Sequence, residues 1–147
     1  MKIGLFGIGL DTYWPQFEGL KERLEGYLGE VHKRIAALHP EVVNAGLVDT
    51  ADKAFEAGYR FRTEGVNIIF LYVTTYALSS TVLPVVQQAK VPVIVLNLSP
   101  EAAIDYAAFN KMSDRTRMTL NGWLIVQFVR CLKLPMYSCA PAYSFTR

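Results

Sequence analysis

No apolar run in this sequence reaches the roughly 18 uninterrupted residues that a membrane-spanning helix needs, and the chain holds only two cysteines, Cys131 and Cys139. The first absence argues against a membrane helix. The second leaves room for one disulfide at most, and in an otherwise cysteine-free chain the pair reads more simply as free thiols. Acids are missing from residues 120–147, where three bases stand, while residues 1–119 carry 12 Lys/Arg against 13 Asp/Glu. The formal charge of +2 is therefore a property of the tail. The balanced body lacks the basic face with interleaved aromatics that nucleic-acid binding requires. Phosphate-cradling P-loops, His/Cys metal spacings and nucleophile elbows are absent as well.

What is present is a high apolar fraction, 52% of 147 residues. That excludes disorder and fits one domain in which both faces of a sheet are covered or an apolar surface meets a partner. The opening "MKIGLFGIGL" starts like a signal peptide, but no small-residue cleavage site follows, so it reads as a first strand. A cytoplasmic protein is the expectation.

Four short runs rich in apolar and β-branched residues predict buried strands at Lys2 to Ile8, Val42 to Val48, Asn67 to Val73 and Pro92 to Leu98. Between them, Leu20, Leu24, Tyr27, Leu28, Val31, Ile35 and Leu38 recur at helical spacing, predicting a helix over Phe17 to Leu38 with a charged outer face. A second helix is expected from the cap Thr50 to about Gly65, and a third from about Ser80 to Lys90. Alternating strands and helices predict a three-layer α/β domain, flavodoxin-like or Rossmann-like, with a parallel sheet and right-handed crossovers. Ligands bind such sheets at the carboxyl ends of the strands. The segments there are "GLDTYWPQ", "VDTAD", "VTTYALSS" and "LNLSPEAAID".

Gly7 and Gly9 follow the first strand, but Thr12 stands where a dinucleotide fingerprint needs its third glycine, and Asp11, Tyr13, Trp14 and Pro15 would crowd a pyrophosphate. A close-packed turn explains the glycines better. His32 and His39 lie seven apart on the predicted first helix and so near one face, with no third ligand beside them. They read as solvated histidines. "DTYWPQF" places a carboxylate, a hydroxyl and two adjacent aromatics at a strand end, which suits a polyhydroxylated ligand such as a sugar. It equally suits a loop staple or a subunit contact, and both readings stand open. "NKMSDRTRMT" reads as a solvated loop in which Asp114, Arg115 and Arg117 are the groups able to meet a ligand or partner.

The segments "GLFGIGLDTYWPQFEGLKERLEGY", "VVNAGLVDTADKAFEAG", "NIIFLYVTTYALSSTVLPVVQQAKVPVIVLNLSP" and "FNKMSDRTRMT" resemble, in order and spacing, the N-terminal domain of the L-arabinose/L-fucose isomerase family. The resemblance covers residues 1–119 and includes no catalytic signature. It implies an oligomeric aldose–ketose isomerase that uses Mn²⁺ held by glutamates and a histidine. In the family those ligands and the acid/base glutamates belong to later domains, so this chain is expected to carry no cofactor and to be inactive alone. The N-terminal domain helps line a sugar pocket shared between subunits. By the resemblance, Asp11, Tyr13 and Trp14 are the substrate-binding residues here, although familiar arabinose isomerases differ at this loop.

The resemblance stops beyond Thr119. From Asn121 the tail is compatible, when re-read in the neighbouring frame, with a stop-free string that resembles what family members carry after "RMT". The expectation is thus a frameshifted tail over 120–147, attached to an isomerase fragment. The competing expectations are a genuine amphipathic helix from Trp123 to Leu134 and, for the whole chain, a stand-alone α/β module that binds a sugar or nucleotide or a small flavodoxin-like enzyme.

Overall fold

The computed structural model describes residues 1–98. The boundary at 119, the "NKMSDRTRMT" loop, the tail with its cysteines and residues 99–105 of "LNLSPEAAID" lie outside the described residues. Among the described residues four strands, β1 (Ile3–Ile8), β2 (Val42–Val48), β3 (Ile68–Val73) and β4 (Val93–Leu96), form one sheet in the order β2-β1-β3-β4. Every pairing is parallel. Three helices, α1 (Leu20–Leu38), α2 (Ala51–Thr63) and α3 (Ser79–Ala89), alternate with the strands, giving the expected α/β fold. None of the described helices is long and apolar enough to cross a membrane.

β1 is central and buried at every position, because helices cover both faces of the sheet. Phe6 and Ile8 pack with Val43, Ile69, Leu71 and Val73 against α2 and α3, burying Ala54, Ala57, Phe61, Val82 and Val85. On the opposite face Leu5 and Tyr72 meet Leu28 and Val31 of α1. Side chains of this size contribute about 1.5–3 kcal/mol each when fully buried, so the two layers carry most of the stability. α2 and α3 approach closely where Gly58 faces Pro84 and Val85. A Cβ there would lie 3.0 Å from the Pro84 carbonyl oxygen and 2.9 Å from the Gln88 Cβ.

Two sequence expectations shift. The first helix begins at Leu20, not Phe17, because Gly19 sits at φ 73 and breaks the helical run. Phe17 still packs on Leu20 and Leu24, so its spacing was a packing signal without being a helical one. His39 lies one residue past α1 with extended backbone, φ −147. Helical spacing therefore does not relate it to His32.

β2 contains an irregularity invisible in the sequence. Leu5 pairs with Asn44 and Gly7 with Leu47, so Ala45 and Gly46 together face Phe6. Gly46 takes φ 77, and its N–H donates to Asn44 Oδ1 at 2.9 Å. This extra residue reverses the in-out phase of the strand. Val43 and Val48, an odd number of positions apart, consequently pack in the same cluster, while Leu47 approaches Gly7 and Gly9 on the other side.

Candidate functional site

The chain steps from β1 to β2 on one side of the sheet and then reaches β3 and β4 on the other. The order reverses between β1 and β3, and the crevice for a ligand in such a sheet lies at the carboxyl ends of those two strands. Its walls are the loop after β1 and the segment Thr74 to Leu78 after β3.

The loop after β1 is internally braced. A single 3-10 turn spans Asp11–Tyr13, Asp11 Oδ1 accepts the Thr12 N–H at 2.8 Å, and the Gln16 side chain donates to the Thr12 carbonyl at 2.7 Å. The Tyr13 ring meets Phe17 edge-on at 5.8 Å. Gly9 lets the Trp14 indole lie against the backbone, since a Cβ there would be 3.0 Å from Trp14 Cζ2.

Trp14 also reaches out of the loop. Its Nε1–H donates to Asp49 Oδ2 at 2.8 Å. Lys53 Nζ lies 2.6 Å from Asp49 Oδ1, so one buried carboxylate ties the β1 loop, the end of β2 and the first turn of α2 together. Burial alone would raise the Asp49 pKa, but hydrogen bonds from Lys53 and Trp14, the Lys53 charge and the backbone N–H of Asp49 prevail and hold it below the ordinary value. α2 is capped at the same point, with Thr50 Oγ1 accepting the Lys53 N–H.

The three residues expected at the sugar site share this loop but differ in their surroundings. Asp11 is exposed, Tyr13 is half-buried and Trp14 is half-buried, with the indole N–H committed to Asp49. Burial, then the negative charge Tyr76 would carry when ionised, raises the Tyr13 phenol above its usual pKa; Tyr76 stands on the segment after β3. Tyr76 is 37% exposed. Behind it, Thr74 Oγ1 donates to the Ile8 carbonyl and bridges the two strand ends. Thr75 is fully buried, and its hydroxyl has no hydrogen-bond partner among the described residues.

Sequence reasoning missed Asp49 and Tyr76. Asp49 entered it only as part of "VDTAD", and Tyr76 only as part of "VTTYALSS". The available signal was their common position just past strands β2 and β3.

Neither crevice loop carries a base. Residues 9–17 contain Asp11 as their one charged side chain, and residues 74–78 contain none. Such walls offer hydroxyls, a carboxylate and aromatic faces, but nothing to neutralise a phosphate. Among the described residues no group of three or more His, Cys, Asp or Glu side chains could hold a metal ion, so these residues do not fit a manganese centre. No family model, no curated protein and no solved structure matches the chain.

Proposed function

We propose that residues 1–119 are the N-terminal α/β domain of an aldose–ketose isomerase of the L-arabinose/L-fucose type, and that the β1/β3 crevice lines its sugar pocket. The observation that carries the pocket is the placement of Tyr13 and Tyr76 on the two segments that follow β1 and β3, with Asp11 beside Tyr13 and no base in either wall. Phenol faces stack on the C–H surface of a sugar, while phenol hydroxyls and a carboxylate hydrogen-bond its O–H groups. Among the described residues a nucleotide would find no cation in either wall for its phosphates, and the nearby Lys53 is paired with Asp49.

In this reading the domain supplies contacts and orientation. Manganese ligands and proton-transfer glutamates would come from outside the described residues, as the family resemblance implies. Trp14 acts through the loop by fixing its path, and Asp11 and Tyr13 touch the sugar. A cytoplasmic location goes with the reading, as does a homo-oligomer in which neighbouring subunits complete the pocket.

The test is an isomerase assay of the pure 147-residue chain with L-arabinose and L-fucose in the presence of Mn²⁺. The expected result is no interconversion above the protein-free control. Turnover would overturn the claim that the domain only lines a pocket. A stand-alone binding module is the second reading, favoured by a crevice whose two walls both come from one sheet. Calorimetric titration with pentoses, hexoses and nucleotides separates the two, since a dissociation constant of about 10 μM or tighter, near −7 kcal/mol, would support the module.

A further inference from the structure

The outer flank of α2 carries two large apolar side chains in water. Phe55 is 54% exposed and Tyr59 64% exposed, although Ala54, Ala57, Gly58 and Phe61 of the same helix are buried. Asp52 and Arg62, also exposed, extend the flank at either end. Spacings of three, four and three place Asp52, Phe55, Tyr59 and Arg62 on one stripe. Two other ions of this helix are engaged, Lys53 with Asp49 and Arg60 with Glu64, and Glu56 lies to one side of the stripe. Asp52 and Arg62 enter no ion pair among the described residues.

The stripe is symmetric about Ala57 in a way that specifies its occupant. Asp52 and Arg62 lie equally far from Ala57 on opposite sides, and so do Phe55 and Tyr59. Under a two-fold rotation that lays two α2 helices antiparallel, each Asp52 meets Arg62 of the second copy and each Phe55 meets its Tyr59. An isologous contact requires that reciprocity. The acid at one end and the base at the other also oppose the parallel arrangement, which would set like charges side by side.

We infer that α2 is a self-association surface, and that its occupant is a second copy of this chain packed antiparallel through Asp52, Phe55, Tyr59 and Arg62. The inference does not rest on the sugar reading, because the stripe is separate from the crevice residues. Four side chains per copy bury less than the ~800 Å² per partner of a standard stable interface. The association is accordingly weak and concentration-dependent, and its charged ends make it weaker at high salt.

Sedimentation equilibrium of the full chain from about 1 μM to about 1 mM, which spans the affinities of weak interfaces, tests this. The wild type should pass from monomer to dimer across the range. Asp52→Arg and Arg62→Asp should each weaken the dimer by about tenfold or more, the scale of losing one well-placed interface contact. Mixed together, the two variants should associate at least as tightly as wild type, because each offers the charge that the other lacks. Phe55→Ser with Tyr59→Ser should abolish the dimer while leaving the circular dichroism spectrum unchanged. A wild type that stays monomeric overturns the inference. So does association that survives the aromatic substitutions, or a mixture no tighter than its separate components.

Discussion

The indole N–H of Trp14 donates to Oδ2 of Asp49 at 2.8 Å, joining residues 35 apart in sequence. The bond fixes the path of the loop that carries Asp11 and Tyr13. Asp49 accepts it from a nearly sealed position, its side chain 2% exposed, with Lys53 on the other oxygen.

Removing that donor has a defined cost. Trp14→Phe keeps most of the ring against Gly9 but deprives a buried carboxylate of one bond, a loss of about 1.5–3 kcal/mol for hydrogen bonds to charged groups. Urea unfolding of Trp14→Phe, Asp49→Asn and the double variant should give a coupling energy of about 1 kcal/mol or more between contacting residues. Strict additivity would show that the bond does not hold the loop.

Acid sensitivity follows from the same carboxylate. Its folded pKa lies below the ordinary value, so its contribution to stability is full above the unfolded pKa of about 3.9 and fades as pH falls through the folded value. Asp49→Asn should therefore destabilise the protein clearly at neutral pH and progressively less below about pH 4. A wild-type-minus-variant difference that stays constant from neutral pH into acid would contradict this.

At the alkaline end the relevant group is Tyr72. Burial, with Tyr27 adding to it, raises its phenol well above the ordinary tyrosine range. The unfolded chain loses this proton near pH 10 while the folded chain retains it, so stability falls as pH rises beyond that point. Tyr72→Phe should flatten the decline in denaturant midpoint above about pH 10.

Helix glycines should respond oppositely to alanine. At Gly58 a methyl would press on Pro84 and Val85 backbone atoms 3.0 Å away. Overpacking costs about 1–3 kcal/mol and outweighs the gain of up to ~1 kcal/mol in helix propensity. Gly26→Ala and Gly29→Ala, with nothing within 4 Å, should each stabilise by about 0.5–1 kcal/mol. Thermal melts of the three variants check the sign at each site.

The layers were legible because strands covered on both faces are continuously apolar, and because Thr50 caps α2 by a local rule that needs no tertiary information. The reversal in β2 was not legible. "VVNAGLV" scans as an ordinary buried strand, and the pairing of Ala45 and Gly46 against Phe6 exists only once the register is set. The start of α1 misled for a related reason, since Phe17 keeps the helical interval to Leu20 and Leu24 while Gly19 takes a left-handed conformation between them. At the candidate site, "DTYWPQF" was legible as a loop at the carboxyl end of β1. The partners Asp49 and Tyr76 come from other strands, and only the strand order brings them near.

The crevice between β1 and β3 is proposed to receive a sugar. Amide chemical-shift mapping of the isotope-labelled 147-residue chain, titrated with L-arabinose, L-fucose and, separately, adenosine monophosphate, tests it most directly. Saturable shifts are expected on the order of millimolar affinity, about −4 kcal/mol, confined to residues around Asp11, Tyr13 and Tyr76. Those shifts should appear with the sugars, be lost in Tyr13→Ala and be absent with the nucleotide. Sugar titrations that leave those residues unmoved, or a nucleotide that moves them instead, would contradict it.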